Sequence, residues 1–78
     1  MRLPRDLSGQ DLVRLLVKQY GYRQVHQEGS HIVLQSESPP HRIAIPNHDP
    51  LRLGTLNSIL RAVARAQGID KADILQPP

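Results

Sequence analysis

The apolar positions of this chain change period twice, and the changes mark out its elements. From Gly9 onward Leu12, Leu15, Leu16 and Gln19 fall on one side of a 3.6-residue helix, with Val13 and Tyr20 widening the stripe. Ser8 stands where an N-cap belongs, and Asp11 three residues later completes a capping-box pattern. Lys18 lies in the last turn and Gly21 offers the left-handed residue that stops a helix. The spacing predicts a helix over 9–19.

The period then drops to two. Aliphatic and polar residues alternate over 22–27, 31–36 and 42–46, the signature of half-buried strands. Glu28-Gly29 reads as the first turn. Residues 37–40 read as a loop, because Pro39 and Pro40 cannot donate to a ladder. After a loop over 47–54 the helical period returns: Leu56, Ile59, Leu60 and Val63 predict a second helix over 55–67, with Thr55 as N-cap and Gly68 as terminator. Asp70 can cap a short turn over 71–75, and 76–78 end in two prolines that cannot extend it.

The predicted order is helix-strand-strand-strand-helix, an α+β fold with a three-stranded antiparallel sheet. A single domain over 1–78 is expected from this length. Two helices cover one face of such a sheet, which leaves the other free for a ligand or a partner. Alternation places Ile32 and Leu34, Ile43 and Ile45, and Val25 against the helices. Tyr22, Gln24, His26, His31, Gln35 and Arg42 are then expected on the open face. An even-numbered first turn sets His26 directly across from His31, and an odd one with a bulge at Gly29 breaks that pairing.

Composition narrows the chemistry. With no cysteine, neither disulfides nor thiolate metal sites are available. The first residues have no apolar core of a signal peptide, and no apolar run reaches the ~20 residues of a membrane span, so a cytoplasmic protein is expected. The formal charge of +3 is compatible with a polyanionic partner and equally with ordinary surface charge.

Four histidines supply side chains able to exchange protons near neutrality: His26, His31, His41 and His48. His31 stands out because Gly29 and Ser30 precede it with backbone and hydroxyl donors, and because it opens a strand on the exposed face. No histidine pair has zinc-protease spacing, and no third ligand accompanies His26 and His31, so no metal and no cofactor is expected. Neither a nucleophile elbow nor the aromatic strand motif of an RRM is present.

At Gly29-Ser30-His31 the chain resembles the HicA toxins, also called the YcfA-like family. The resemblance continues through Ile43-Ala44-Ile45-Pro46-Asn47-His48 and is strongest at Leu53-Gly54-Thr55-Leu56-Asn57-Ser58-Ile59-Leu60. Leu7-Ser8-Gly9-Gln10-Asp11-Leu12 and the Tyr20-Gly21-Tyr22 step also fit. It implies a fold like that of double-stranded-RNA-binding domains. It also implies a metal-independent endoribonuclease that cleaves mRNA, is held inactive by a HicB-type antitoxin, and carries its catalytic histidine at His31. Two departures are visible: Gln27-Glu28 stand where the family commonly has a basic residue, and a carboxylate there either repels phosphate or caps the turn; and the second helix, with Ala62-Val63-Ala64-Arg65-Ala66-Gln67, is slightly longer than the family's usual one.

On that reading the 2′-hydroxyl of RNA attacks the neighbouring phosphate, and His31 serves as general base or acid. The N–H groups of Gly29 and Ser30, with Arg42 or Arg23, hold the phosphate. His26 could carry a second proton, although a surface role suits it better, and His48 fits a loop-fixing or RNA-contacting residue. The alternatives are a non-catalytic RNA-binding module of the same fold, or an interaction protein whose open sheet face docks a partner.

Overall fold

Ser8 begins the first helix as its sequence context requires. Its hydroxyl accepts from the Asp11 N–H at 3.0 Å while the Asp11 carboxylate accepts from the Ser8 N–H at 3.1 Å, a complete capping box. The structure, a computed structural model, describes residues 6–75, so the expectations for the extreme N-terminal residues and for 76–78 fall outside the described part. Helix α1 spans Gly9–Tyr20 and ends on Gly21 at φ 73°, the left-handed stop its glycine makes cheap.

Three antiparallel strands follow, β1 (Arg23–Glu28), β2 (His31–Glu37) and β3 (Pro40–Pro46), in spatial order β1-β2-β3. Helix α2 (Leu53–Gln67) and the single turn α3 (Lys71–Ile74) complete the α+β architecture. The helices pack on β2 and β3. Leu12 and Leu16 of α1, Leu56, Leu60 and Val63 of α2, and Ile74 of α3 meet Ile32, Leu34 and Ile45 of the sheet in one buried cluster. Among the described residues no helix packs over β1, and all six of its residues are exposed.

Register sorts the sheet into two faces. On the helix side lie the rows Gln27–Ile32–Ile45 and Gln24–Leu34–Ile43. On the open side lie Glu28–His31–Pro46, His26–Val33–Ala44 and Arg23–Gln35–Arg42. This corrects the expected faces of β1. Val25 is 38% exposed rather than in the core, because a β-bulge between Gln24 and His26 inserts it without a partner. The bulge also moves Gln24 to the helix side, where it remains exposed at the uncovered edge. Tyr22 precedes the strand and is 2% exposed, not on the open face. Its ring meets His41 edge-on at 5.8 Å between centroids, and its hydroxyl lies 2.6 Å from His41 Nδ1.

Two boundaries also move. The second hairpin closes on Ser38 and Pro39, with Glu37 paired to Pro40, where residues 37–40 were expected to form a loop. Pro40 is accommodated as the first residue of an edge strand, a position where the missing donor costs no ladder bond. Helix α2 starts at Leu53, two residues before the expected Thr55, from Arg52 as an N-cap without a side-chain bond. Tertiary anchoring takes the place of the cap: Leu51 is buried and its N–H donates to Leu7 O at 2.8 Å. The Asp70 cap forms as expected, with Ala72 N–H donating to its carboxylate at 3.4 Å.

Candidate functional site

The β1–β2 turn consists of Gly29 and Ser30 alone. Gly29 takes φ 59° while Ser30 stays at negative φ, the pattern of a two-residue turn with glycine in first place. The turn therefore sits one residue later than Glu28-Gly29, and the pairing changes with it. Glu28, not His26, stands across from His31, and His26 stands across from Val33. His26 and His31 still share the open face, one row apart and on a diagonal.

His31 is exposed at the first position of β2. Among the described residues no side chain forms a hydrogen bond or ion pair with its ring, yet its backbone is well fixed. Ser30 O accepts from Asn47 N–H at 2.6 Å, and His48 O accepts from Gly9 N–H at 2.9 Å. These two bonds tie the turn to the chain leaving β3, and that chain to the start of α1. Gly9 permits the approach: a Cβ there would lie 2.0 Å from Pro46 O. His31, Glu28, Pro46 and the exposed His48 thus cluster around one end of the sheet.

Glu28 is a residue that the sequence reading used only as a turn cap or a source of repulsion. Its carboxylate oxygen lies 3.9 Å from His26 Nε2, with side chains 81% and 54% exposed. Among the described residues it makes no ion pair with His31. The signal that locates it was present in Gly29-Ser30, because a glycine with positive φ in first place makes the residue before it the partner of His31.

Arg23 and Arg42 share the open face but not the site. They flank Gln35, four positions along β2 from His31, which is about 13 Å at the rise of a strand. Arg23 is further engaged by Glu37 at 2.8 Å. Beside this row an open depression of about 470 Å³ is lined by Gly21, Arg23, Gln35, Ser36, Glu37 and Ser38. The structure therefore brings together Gly29, Ser30, His31 and His26, sets His48 in the adjoining loop, and leaves Arg23 and Arg42 as a separate basic row.

Between these rows the floor is apolar, made by Val33 and Ala44. Among the described residues no group of three or more His, Cys, Asp or Glu side chains gathers as a metal site, and no helix is long and apolar enough to cross a membrane.

No curated protein and no solved structure matches the chain. The family model of the HicA toxin of bacterial toxin–antitoxin systems matches residues 9–64, which takes in α1, the whole sheet with the His31 turn, and most of α2. The chain belongs to that toxin family, whose members work opposite an antitoxin.

Proposed function

We propose that the protein is an endoribonuclease toxin that cleaves mRNA in the cytoplasm without a metal ion and is restrained by a HicB-type antitoxin. The observation that carries the reading is the presentation of His31: exposed, on the sheet face away from the helices, on a turn fixed by backbone bonds within the family-matched span.

RNA brings its own nucleophile, the 2′-hydroxyl. Cleavage then needs proton transfer at two oxygens and donors for the charge that builds on the phosphate. His31 supplies the proton transfer, and the N–H groups of Gly29 and Ser30 face the phosphate. The Arg23–Gln35–Arg42 row is too far to touch the phosphate at His31. It takes a neighbouring phosphate of the same strand, which gives its arginines a role in holding RNA rather than in the bond cleaved. His48 contacts RNA beside the turn.

The test is cleavage of a labelled RNA by the purified full chain in EDTA, with His31→Ala alongside. A general acid or base contributes about 10²–10⁴-fold. Loss of that order in His31→Ala, with unchanged circular dichroism and with relief of growth arrest on expression, supports the reading. RNA binding with no cleavage product from the wild-type chain would instead mean a non-catalytic RNA-binding domain.

A further inference from the structure

The row that closes the β1–β2 hairpin contains two proton-exchanging side chains, only one of which the ribonuclease reading has used. Glu28 and His31 are cross-strand partners on the open face, where paired Cβ atoms lie about 4.5–5.5 Å apart. The third member of the row, from β3, is Pro46, and the next row adds Val33 and Ala44. The carboxylate and imidazole thus rise side by side over an uncharged floor. They make no ion pair with each other, while His26 approaches the carboxylate to 3.9 Å.

Among the described residues, few other charged groups face this pair. His26 comes from β1, and β3 contributes no ionisable residue in the first two rows. His48 and Asp49 lie exposed in the loop after β3, and Arg23 and Arg42 stand in the next open-face row beyond His26, four positions along β2 from His31. The helices lie on the opposite side of the sheet.

We propose that Glu28 is a second catalytic residue, acting as the base that takes the 2′-hydroxyl proton while the His31 imidazolium acts as the acid. This rests on the ribonuclease reading and gives His31 one of the two roles left open there. The step balances without any further reactant. The 2′-oxygen forms a bond to phosphorus as its proton passes to the Glu28 carboxylate. The bond from phosphorus to the 5′-oxygen breaks as that oxygen takes a proton from His31. The products are a 2′,3′-cyclic phosphate and a 5′-hydroxyl, and both side chains return to their starting forms by exchange with water.

Separation of the two groups suits this chemistry. Attacking and leaving oxygens lie roughly in line through phosphorus, so base and acid must stand apart and on either side of it. A closed Glu28–His31 ion pair would occupy the space the phosphate needs. Adjacent strands hold the two groups apart.

The proposal reverses the sign expected from simple repulsion. A carboxylate that only repels phosphate makes Glu28→Gln faster than wild type, whereas a base makes it slower. The experiment is kcat/KM for a short fluorogenic RNA across about pH 4 to 10 with the full chain, Glu28→Gln, Glu28→Asp and His31→Ala, and mass spectrometry of the product ends. The wild type is expected to give a bell-shaped profile and a cyclic phosphate. Glu28→Gln should lose about 10²-fold or more together with the acidic limb, Glu28→Asp should keep that limb at reduced rate, and His31→Ala should lose the alkaline limb. Activity in Glu28→Gln equal to or above wild type overturns the proposal, and so does a slower enzyme whose bell is unchanged. A wild-type chain that cuts no RNA would overturn the ribonuclease reading itself. A wild-type-like Glu28→Gln beside an inactive His31→Ala would remove only the role of Glu28.

Discussion

Replacing Gly9 by alanine tests the packing that holds the candidate site. The new Cβ would lie 2.0 Å from Pro46 O, 3.0 Å from Pro46 C and 3.2 Å from Asn47 Cα, all backbone atoms that no rotamer change can clear. Restoring even the shortest tolerated contact, 3.0 Å to the oxygen, means parting α1 from the end of β3 by about an ångström. Overpacking of this kind costs about 1–3 kcal/mol. The Gly9 N–H to His48 O bond is strained by the same movement, adding about 0.5–1.5 kcal/mol. Against this, alanine improves on glycine in a helix by at most about 1 kcal/mol. The net loss expected is therefore about 0.5–4.5 kcal/mol, with a fall in Tm of roughly 4–8 °C for each kcal/mol in a domain of this size. Gly54 is the control: it too lies in the first turn of a helix, and a Cβ there meets nothing within 4 Å. Gly54→Ala should raise Tm by a few degrees. Thermal and urea unfolding followed by circular dichroism reads both. Gly9→Ala as stable as wild type, or more so, would mean that α1 does not seat on Pro46 as described.

Ser8→Ala removes one half of the capping box and should cost about 1 kcal/mol, measurable by urea titration. The bonds from Ser8 to the Asp11 carboxylate, aided by Arg14, hold the Asp11 pKa below its ordinary value. Its stabilising effect is therefore present above the unfolded-state pKa and is lost as pH falls through the lower folded-state value, so Asp11→Asn should flatten the acid side of the stability–pH curve. Leu60→Ala, at a fully buried position of α2, should cost 2–5 kcal/mol by the cavity it leaves and unfold much of the population at 37 °C. Burial pushes the Tyr22 phenol above its ordinary pKa, so ultraviolet titration should show a late tyrosine ionisation that Tyr22→Phe abolishes.

Much of the fold was legible because helix signals are local. Ser8-x-x-Asp11, Gly21, Gly68 and Asp70 each act within one turn of chain, and each cap or stop forms where its residue type says it should. The faces of β2 and β3 followed from strict alternation pinned by Ile32, Leu34 and Ile45. Strand β1 was misread because alternation carries no information about a bulge. One unpartnered residue at Val25 inverts every assignment before it, and an uncovered edge strand has no burial constraint to betray the inversion. The early start of α2 was hidden for a different reason: it depends on Leu51 bonding to Leu7, a contact between distant segments. The His31 position on the open face could be read from period alone, whereas its partner across the strand could not be read without the turn type.

The site is thus a rigid backbone carrying loose side chains. Ser30 is held by Asn47, and the following residue His48 is held by Gly9, so two short bonds connect the His31 turn to the seat of α1 on the sheet. Glu28, His26 and His31 themselves are exposed and contribute little to packing. It follows that substitutions at these three side chains should change activity while leaving the unfolding free energy within about 0.5 kcal/mol of wild type, the usual range for surface positions away from such features. Substitutions at Gly9 should do the reverse at first, lowering stability, and then reduce activity only as far as the turn is displaced. A double substitution of Gly9 and His31 measures this separation. Additive losses of stability, with no further loss of cleavage beyond His31→Ala alone, would show the two functions of this end of the sheet to be independent. Destabilisation by His31→Ala of more than about 1 kcal/mol would refute it, because the imidazole would then be part of the packing it is described as standing clear of.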